Sequence, residues 1–539
     1  MNLNTKQIQH LVLYVAAVFL FVIPVQSRAQ GTIVGQVTAA GGQGLPGVMV
    51  MATHVDRRIE ESTVTDSSGN YRLIVQYPGV LNVVASEIGY KVEKREGVRL
   101  AVEATTINFD LQANSDERST IEQLPYSSFL SLLPDGWAKR EFILTEMTGL
   151  VRRAVLDHPP LDELTRRIEA AVRARNRPML FYTTPAIFPT EDYERPEAIA
   201  RWVAKYASRG DALKNFRRPA PSTADTSNVQ ITQYFVPQGH SNHDLYVSSD
   251  GIVWATQKPN GLWRLDPKTG EGRIVPFELA NRGIVPSGDG HHVWIVTYQG
   301  KIVEFDLKTE TIGRVFDLGK QFDGFFPHTL KIDHDGNLWV GDYVARYPGR
   351  AAEINPASGK MTLIDFPALS LPFDRSATEN YGLTVCPDDQ VWTTLLHAST
   401  IVRIDPHTLH AEPIEFGVTD GGPRRLDCAP DGNVWIPAHS AGEVLRYDPI
   451  SDSYQRFSLP TPDAGPYTLK VDPKTGNIWI STRFSGQVYR YNVHTREFSV
   501  FQMPTDQVFW GKDFQFVGEH EVWVTQDGWG EVSLTRIRY

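Results

Sequence analysis

Seven positions in the C-terminal half collect the side chains that chemistry uses. Each lies 11 or 12 residues upstream of a tryptophan: His243, Gly283 (beside Arg282), His328, Tyr381, Arg424, Tyr467 and Lys512. A second set follows the same tryptophans within a few residues: Gln257, Thr297, Asp342, His397, His439, Arg483 and Asp527. Structural filler at a recurring position would be Val, Thr, Ala or Gly. His and Tyr exchange protons, and Arg and Lys neutralise anions. A base, a group that stabilises developing negative charge, and an acid for a leaving oxygen are the parts of an elimination. The same cationic and aromatic set, on a chain of net charge −10, favours an anionic or sugar-like ligand. The alternative is that these groups are merely solvated at a pore mouth.

The element that must position them is a repeat. Trp254, Trp294, Trp339, Trp392, Trp435, Trp479 and Trp523 each sit in a short apolar strand, with gaps of 40 to 45 residues and one of 53. A turn precedes each, such as Ser249-Asp250-Gly251, Asp335-Gly336-Asn337 or Pro430-Asp431-Gly432. Another turn follows, as in Asp266-Pro267-Lys268-Thr269 and Asp405-Pro406-His407-Thr408. Four short strands per unit at this period predict a seven-bladed β-propeller. One unit cannot cover both faces of its sheet, whereas seven packed radially can, with Trp filling the gap between blades. After Trp523 only one more strand fits. The orphan strand at residues 229–235 precedes the first repeat, so the two ends are expected to pair within the last blade and remove open edges. Inner strands then start at one mouth of a channel, which makes neighbours of positions far apart in sequence.

The 539 residues leave room for further units, and 41% hydrophobic content argues for packed cores. The acidic balance removes the electrostatic case for nucleic acid. Residues 1–29 read as a cleaved signal peptide: Lys6, an apolar run over 11–25 and Ser27-Arg28-Ala29. That run is short for a membrane span. The expected location is the periplasm or beyond, and the expected state a monomer. Cys386 and Cys428 are the only cysteines. The compartment permits a bridge, but neighbouring blades usually hold such positions too far apart, so two buried free thiols are expected.

Residues 30–112 form an all-β unit. Leu45-Pro46-Gly47-Val48, Thr65-Asp66-Ser67-Ser68-Gly69-Asn70-Tyr71 and Gly89-Tyr90 resemble the carboxypeptidase regulatory-like domain, a transthyretin-like β-sandwich. It holds no nucleophile or metal set and reads as a spacer or adhesion module facing envelope or cell-surface carbohydrate. Residues 126–210 switch to helical periodicity: Leu161, Leu164, Ile168 and Val172 share a face, Pro196 starts another helix, and an earlier one runs over about 137–156. The layout resembles a cytochrome-c-like module. However, Glu146-Met147-Thr148-Gly149-Leu150 stands where Cys-x-x-Cys-His would be, so no haem is expected. Residues 213–228 read as a linker.

The repeats resemble the virginiamycin B lyase (streptogramin lyase) family. The resemblance rests on Asp335-Gly336-Asn337-Leu338-Trp339, Asp431-Gly432-Asn433-Val434-Trp435 and the Pro-His or Pro-Tyr starts of inner strands. It implies a His base and magnesium held by two Glu, opening a cyclic depsipeptide by elimination across an ester C–O bond. Pro327-His328 matches one Pro-His, and Glu379 in Glu379-Asn380-Tyr381-Gly382 matches one metal ligand. Tyr381 replaces the base His, and His397 stands near the second Glu. One carboxylate with a neutral His is a poor magnesium site, because that ion prefers oxygen. An alternative catalytic set is Tyr381, His328, Arg424 and His397, with Tyr381 or His328 moving the proton. An unperturbed Tyr, with pKa about 10, needs a neighbouring cation for this, and Arg424 is placed to be one. His243, Arg282, Tyr467, Lys512 and Arg425 would bind ligand, and Glu379 and Asp342 are the candidates for a divalent metal. Three readings stay open. The favoured one is a recognition propeller for a glycan, peptide or small molecule. The others are a C–O lyase on an ester or acidic glycan, and a metal-dependent lactonase or hydrolase.

Overall fold

The computed structural model describes residues 31–101, 103–136, 139, 143, 147–175, 196–216, 229–237, 239–343, 348–369, 379–396, 398–416, 421–504, 509–527 and 532–539. The leader falls outside them, as do His397 and most of the linker. The remaining linker residues correct the boundary, because 213–215 are the last turn of the helix Arg209–Asn215.

The propeller has seven four-stranded antiparallel blades. Six are continuous in sequence: residues 241–275, 281–317, 327–365, 380–415, 427–458 and 466–502. The seventh is Trp510–Val517, Glu521–Asp527 and Ser533–Arg538, closed by Gln230–Phe235 from before the first blade. Phe235 pairs Ser533 and Gln230 pairs Arg538. Every repeat Trp lies on the second strand of its blade, and each belongs to the apolar cluster it shares with the next blade. Trp254 packs with Ile284 and Phe305 of blade 2, and so on round to Trp523, which packs with Leu245 and Val253 of blade 1. The preceding turn fixes the indole. In blade 3, Asp333 accepts from Asn337 N at 2.8 Å and from Trp339 Nε1 at 2.8 Å, while Gly336 takes the positive φ the turn needs.

The expected free thiols are corrected: Cys386 and Cys428 form a disulfide, with Cα atoms 5.3 Å apart. Blade separation grows with radius, and Cys428 ends the inner strand of blade 5 while Cys386 directly follows that of blade 4, where blades converge. The same crowding shows at Gly382, where a Cβ would lie 2.4 Å from Arg424 O.

The N-terminal unit is a sandwich closed over Ile33, Val37, Val50, Leu73, Val83 and Phe109. Its strand Ile59–Val64 adds to the outer edge of Gln230–Phe235, with Ile59 opposite Tyr234. One sheet of eight strands therefore runs from the last blade into the sandwich. Tyr77 hydroxyl donates to Pro267 O at 2.6 Å and meets the Tyr234 hydroxyl, and Arg57 donates to Thr269 O at 3.0 Å. The helices Glu117–Glu122, Tyr126–Leu130, Thr148–Asp157, Leu161–Arg175, Pro196–Tyr206 and Arg209–Asn215 share a core that also takes in Phe484 of blade 6. Ser127 N donates to Phe484 O at 2.9 Å, and buried Lys139 pairs with Asp463 at 2.9 Å. The helical unit thus rests on the loops of blade 6 that flank the channel mouth.

Candidate channel-mouth site

The inner strands start at Ser241, Asn281, Pro327, Asn380, Pro466 and Trp510, while in blade 5 Arg424 and Arg425 come just before the short strand Asp427–Cys428. Side chains from these starts meet across the axis. Arg425 of blade 5 donates to Asp244 of blade 1 at 2.7 Å and to Lys512 O of blade 7 at 2.7 Å. Its Nη2 lies 3.3 Å from His243 Nδ1. The His243 ring meets that of His328, two blades on, edge to face at 5.4 Å. His328 stacks against Tyr381 at 4.4 Å and Tyr343 at 4.7 Å. The Tyr381 and Tyr467 hydroxyls hydrogen-bond each other, and Arg424 lies over both rings at 5.0 and 5.2 Å. Lys512 ion-pairs with Asp527 and sits over Trp510 at 4.4 Å. His243, Arg282, His328, Tyr381, Arg424, Arg425, Tyr467 and Lys512 therefore converge.

Two histidines have a fixed tautomer. His328 Nδ1 donates to Tyr381 O at 3.1 Å, and a carbonyl only accepts, so the lone pair is on Nε2. In His243 the shorter contact is Nδ1 to the Asp244 carboxylate at 2.8 Å, which likewise leaves Nε2 as the acceptor. Burial, and then the nearby Arg and Lys charges, push His243, His328 and His439 well below the usual imidazole range. All three are neutral at pH 7. Burial, and then the Tyr467 hydroxyl, push Tyr381 far up, and Arg424 does not outweigh them. Tyr381 is therefore a hydrogen-bond donor at neutral pH, and of the two proposed proton carriers only His328 can accept. Burial also brings Lys512 down to about 8.

Arg282 is only partly compensated. It is 6% exposed and sandwiched by Tyr298 at 3.9 Å, Phe326 at 4.6 Å and Tyr343 at 5.0 Å. Its Nε and Nη1 are buried with no hydrogen-bond partner. Burial alone would raise the Tyr298 hydroxyl, but Arg282 and Lys258 bring it below its ordinary value. Tyr298 and Tyr343 each come one residue after a counted loop position, Thr297 and Asp342. The repeat signal therefore pointed at the right loops and stopped one residue short.

The metal reading does not fit the described donors. Asp342 is committed to Arg350 and accepts from Phe326 N at 2.9 Å. Among the described residues no group of three His, Cys, Asp or Glu side chains is disposed to hold a cation. Glu379 is fully buried and precedes the inner strand Asn380–Val385, whose Tyr381 carries Arg424 over its ring. Gln257 and Thr297 are structural, bonded to Asn242 and Lys301 O.

Comparison with known proteins places these parts. Residues 366–537 match the Virginiamycin B lyase family and residues 32–112 the carboxypeptidase regulatory-like domain. No curated protein sequence matches the chain. Among solved structures, a virginiamycin B lyase from Staphylococcus aureus is similar at 17% identity and TM-score 0.49, covering 58% of this chain and 100% of that one. A streptogramin B lyase is similar at 19% and 0.49, covering 57% and 97%. YCF48 bound to D1 peptide follows at 13% and 0.46, covering 60% and 98%. The likeness stands at the level of segments: a region matching the Virginiamycin B lyase family within the propeller, behind a region matching the carboxypeptidase regulatory-like domain.

Proposed function

We propose that the protein is a recognition propeller that takes a small anionic ligand at this mouth and works outside the cytoplasm. One observation carries the reading. At the mouth Arg282, Arg424, Arg425, Arg483, Lys258 and Lys512 gather against Asp244, Glu379, Asp513 and Asp527 in a setting of aromatic rings. Buried cations in excess favour an incoming anion, which gains more there than in water. The apolar leader and the disulfide support the compartment. Calorimetric titration of matched carboxylates and their neutral methyl esters tests it. Carboxylates are expected to bind at least about tenfold more tightly, as charge-assisted hydrogen bonds allow. Equal binding of the esters would sink the reading.

A second reading, elimination across a C–O bond, is favoured by His328, whose Nε2 holds a lone pair beside the cations. If it holds, ester or acidic-glycan substrates gain the ultraviolet absorbance of a new conjugated double bond. His328→Asn then loses about a hundredfold or more of that rate, while Tyr381→Phe loses less. No absorbance change with wild-type protein on either substrate class would rule it out. Among the described residues the lactonase reading lacks the cluster of oxygen ligands it needs.

A further inference from the structure

Resting on the anionic reading of the mouth, we infer that the ligand is a hydroxylated carboxylate, with its carboxylate on Arg282 and a hydroxyl on His328. The two partners are complementary in kind. Arg282 is a donor group short of acceptors: it reaches the Tyr298 hydroxyl, but Nε and Nη1 are buried and unpartnered, and the side chain makes no ion pair among the described residues. A buried guanidinium in that state costs free energy that a carboxylate or similar oxyanion recovers, with planar geometry suited to two parallel hydrogen bonds. His328 is an acceptor with no donor. Its Nδ1–H is spent on Tyr381 O, which fixes the lone pair on Nε2, and no side chain among the described residues donates to it. An O–H or N–H from a ligand that displaces solvent satisfies a neutral imidazole there, and the nearby Arg282 and Arg425 charges disfavour a cationic ammonium donor.

Tyr343 ties the two groups into one subsite. Its ring lies 5.0 Å from the Arg282 guanidinium and 4.7 Å from the His328 ring. Both polar groups therefore lie against the same aromatic ring. His243, with Nδ1 on Asp244 and its ring 5.4 Å from His328, offers a second acceptor for a further hydroxyl. A polyhydroxylated acid the size of a sugar acid matches one anion and two hydroxyl donors against the apolar faces of Tyr343 and Phe326.

The test is calorimetry with four probes: D-glucuronate, its methyl ester, cyclohexanecarboxylate and D-glucose. Wild-type protein is expected to bind glucuronate at least about tenfold more tightly than the ester and about fivefold or more above cyclohexanecarboxylate. Arg282→Gln is expected to abolish the preference over the ester. Arg282→Lys keeps the charge without the fork and is expected to retain part of it. His328→Phe is expected to bind glucuronate and cyclohexanecarboxylate alike. Unchanged near-ultraviolet circular dichroism shows that each variant is folded. If neither carboxylate binds, the anionic reading itself falls. If both bind equally in wild-type protein, or Arg282→Gln changes neither preference, the anionic reading stands and the hydroxy-acid subsite is overturned.

Discussion

Each described histidine at the mouth is buried, neutral and flanked by cations, and this has a consequence for stability. His243, His328 and His439 titrate well below the usual value in the folded chain. Unfolded, each has a pKa of about 6.5. Below that the unfolded state binds more protons, so stability falls as pH drops from about 6.5 toward the depressed folded values. Each group contributes a slope of at most about 1.4 kcal/mol per pH unit. Urea midpoints of the propeller transition measured between pH 7.5 and 5 are expected to fall, and to fall less steeply in His439→Phe. A pH-independent midpoint would contradict the buried neutral imidazoles. At this scale the sequence was informative about position and poor about role. Counting back from each Trp found His243, His328, Tyr381, Arg424, Tyr467 and Lys512, because the repeat forces equivalent residues to one rim. It could not show that Arg425 would span the axis to Asp244, or that Tyr381 would be buried too deeply to act as a base. Both depend on which side chains fill the channel, and no periodicity encodes that.

Blades were legible because Trp is large and periodic. Each indole is shared with the following blade, so a truncation loosens two sheets at once. Trp339→Ala, at a fully buried position, is expected to lower the unfolding free energy by about 3–5 kcal/mol, read from denaturant melts. An effect below about 1 kcal/mol would mean that the blades are held by something other than the shared clusters. The disulfide was misjudged for a geometric reason. Average blade spacing does not apply at the inner strands, where Gly382 permits contact with Arg424 O. Cys386 and Cys428 close a 42-residue separation, for which the chain-entropy model gives about 4 kcal/mol. Dithiothreitol is expected to lower the melting temperature of the wild-type chain and to leave Cys386→Ala/Cys428→Ala unmoved. An equal response in both would contradict the bridge.

Across the whole molecule, the ring does not end at its own seventh blade. Closure by residues 229–235 could be anticipated, since two unpaired ends in one blade leave edges to cover. The addition of Ile59–Val64 to that closing strand could not, because an edge strand carries no mark of its partner. Deleting residues 31–112 is expected to bare the outer edge of Gln230–Phe235 and the Tyr234 side chain, and to yield dimers or larger species by multi-angle light scattering. A monodisperse monomer would show that the sandwich is dispensable for protecting the edge. The helical unit grips blade 6 through Phe484, whose ring packs on His439 at 5.3 Å, so it meets the propeller at the mouth, while the sandwich joins at the outer edge of the last blade. The most direct check on that mouth is a crystal of the full protein soaked with 5-iodosalicylate, a hydroxy acid whose iodine is located by anomalous scattering. The account expects its carboxylate within hydrogen-bond distance of Arg282, between Tyr343 and Tyr298. A well-occupied iodine found only at the seam between sandwich and propeller, with the mouth vacant, would contradict it.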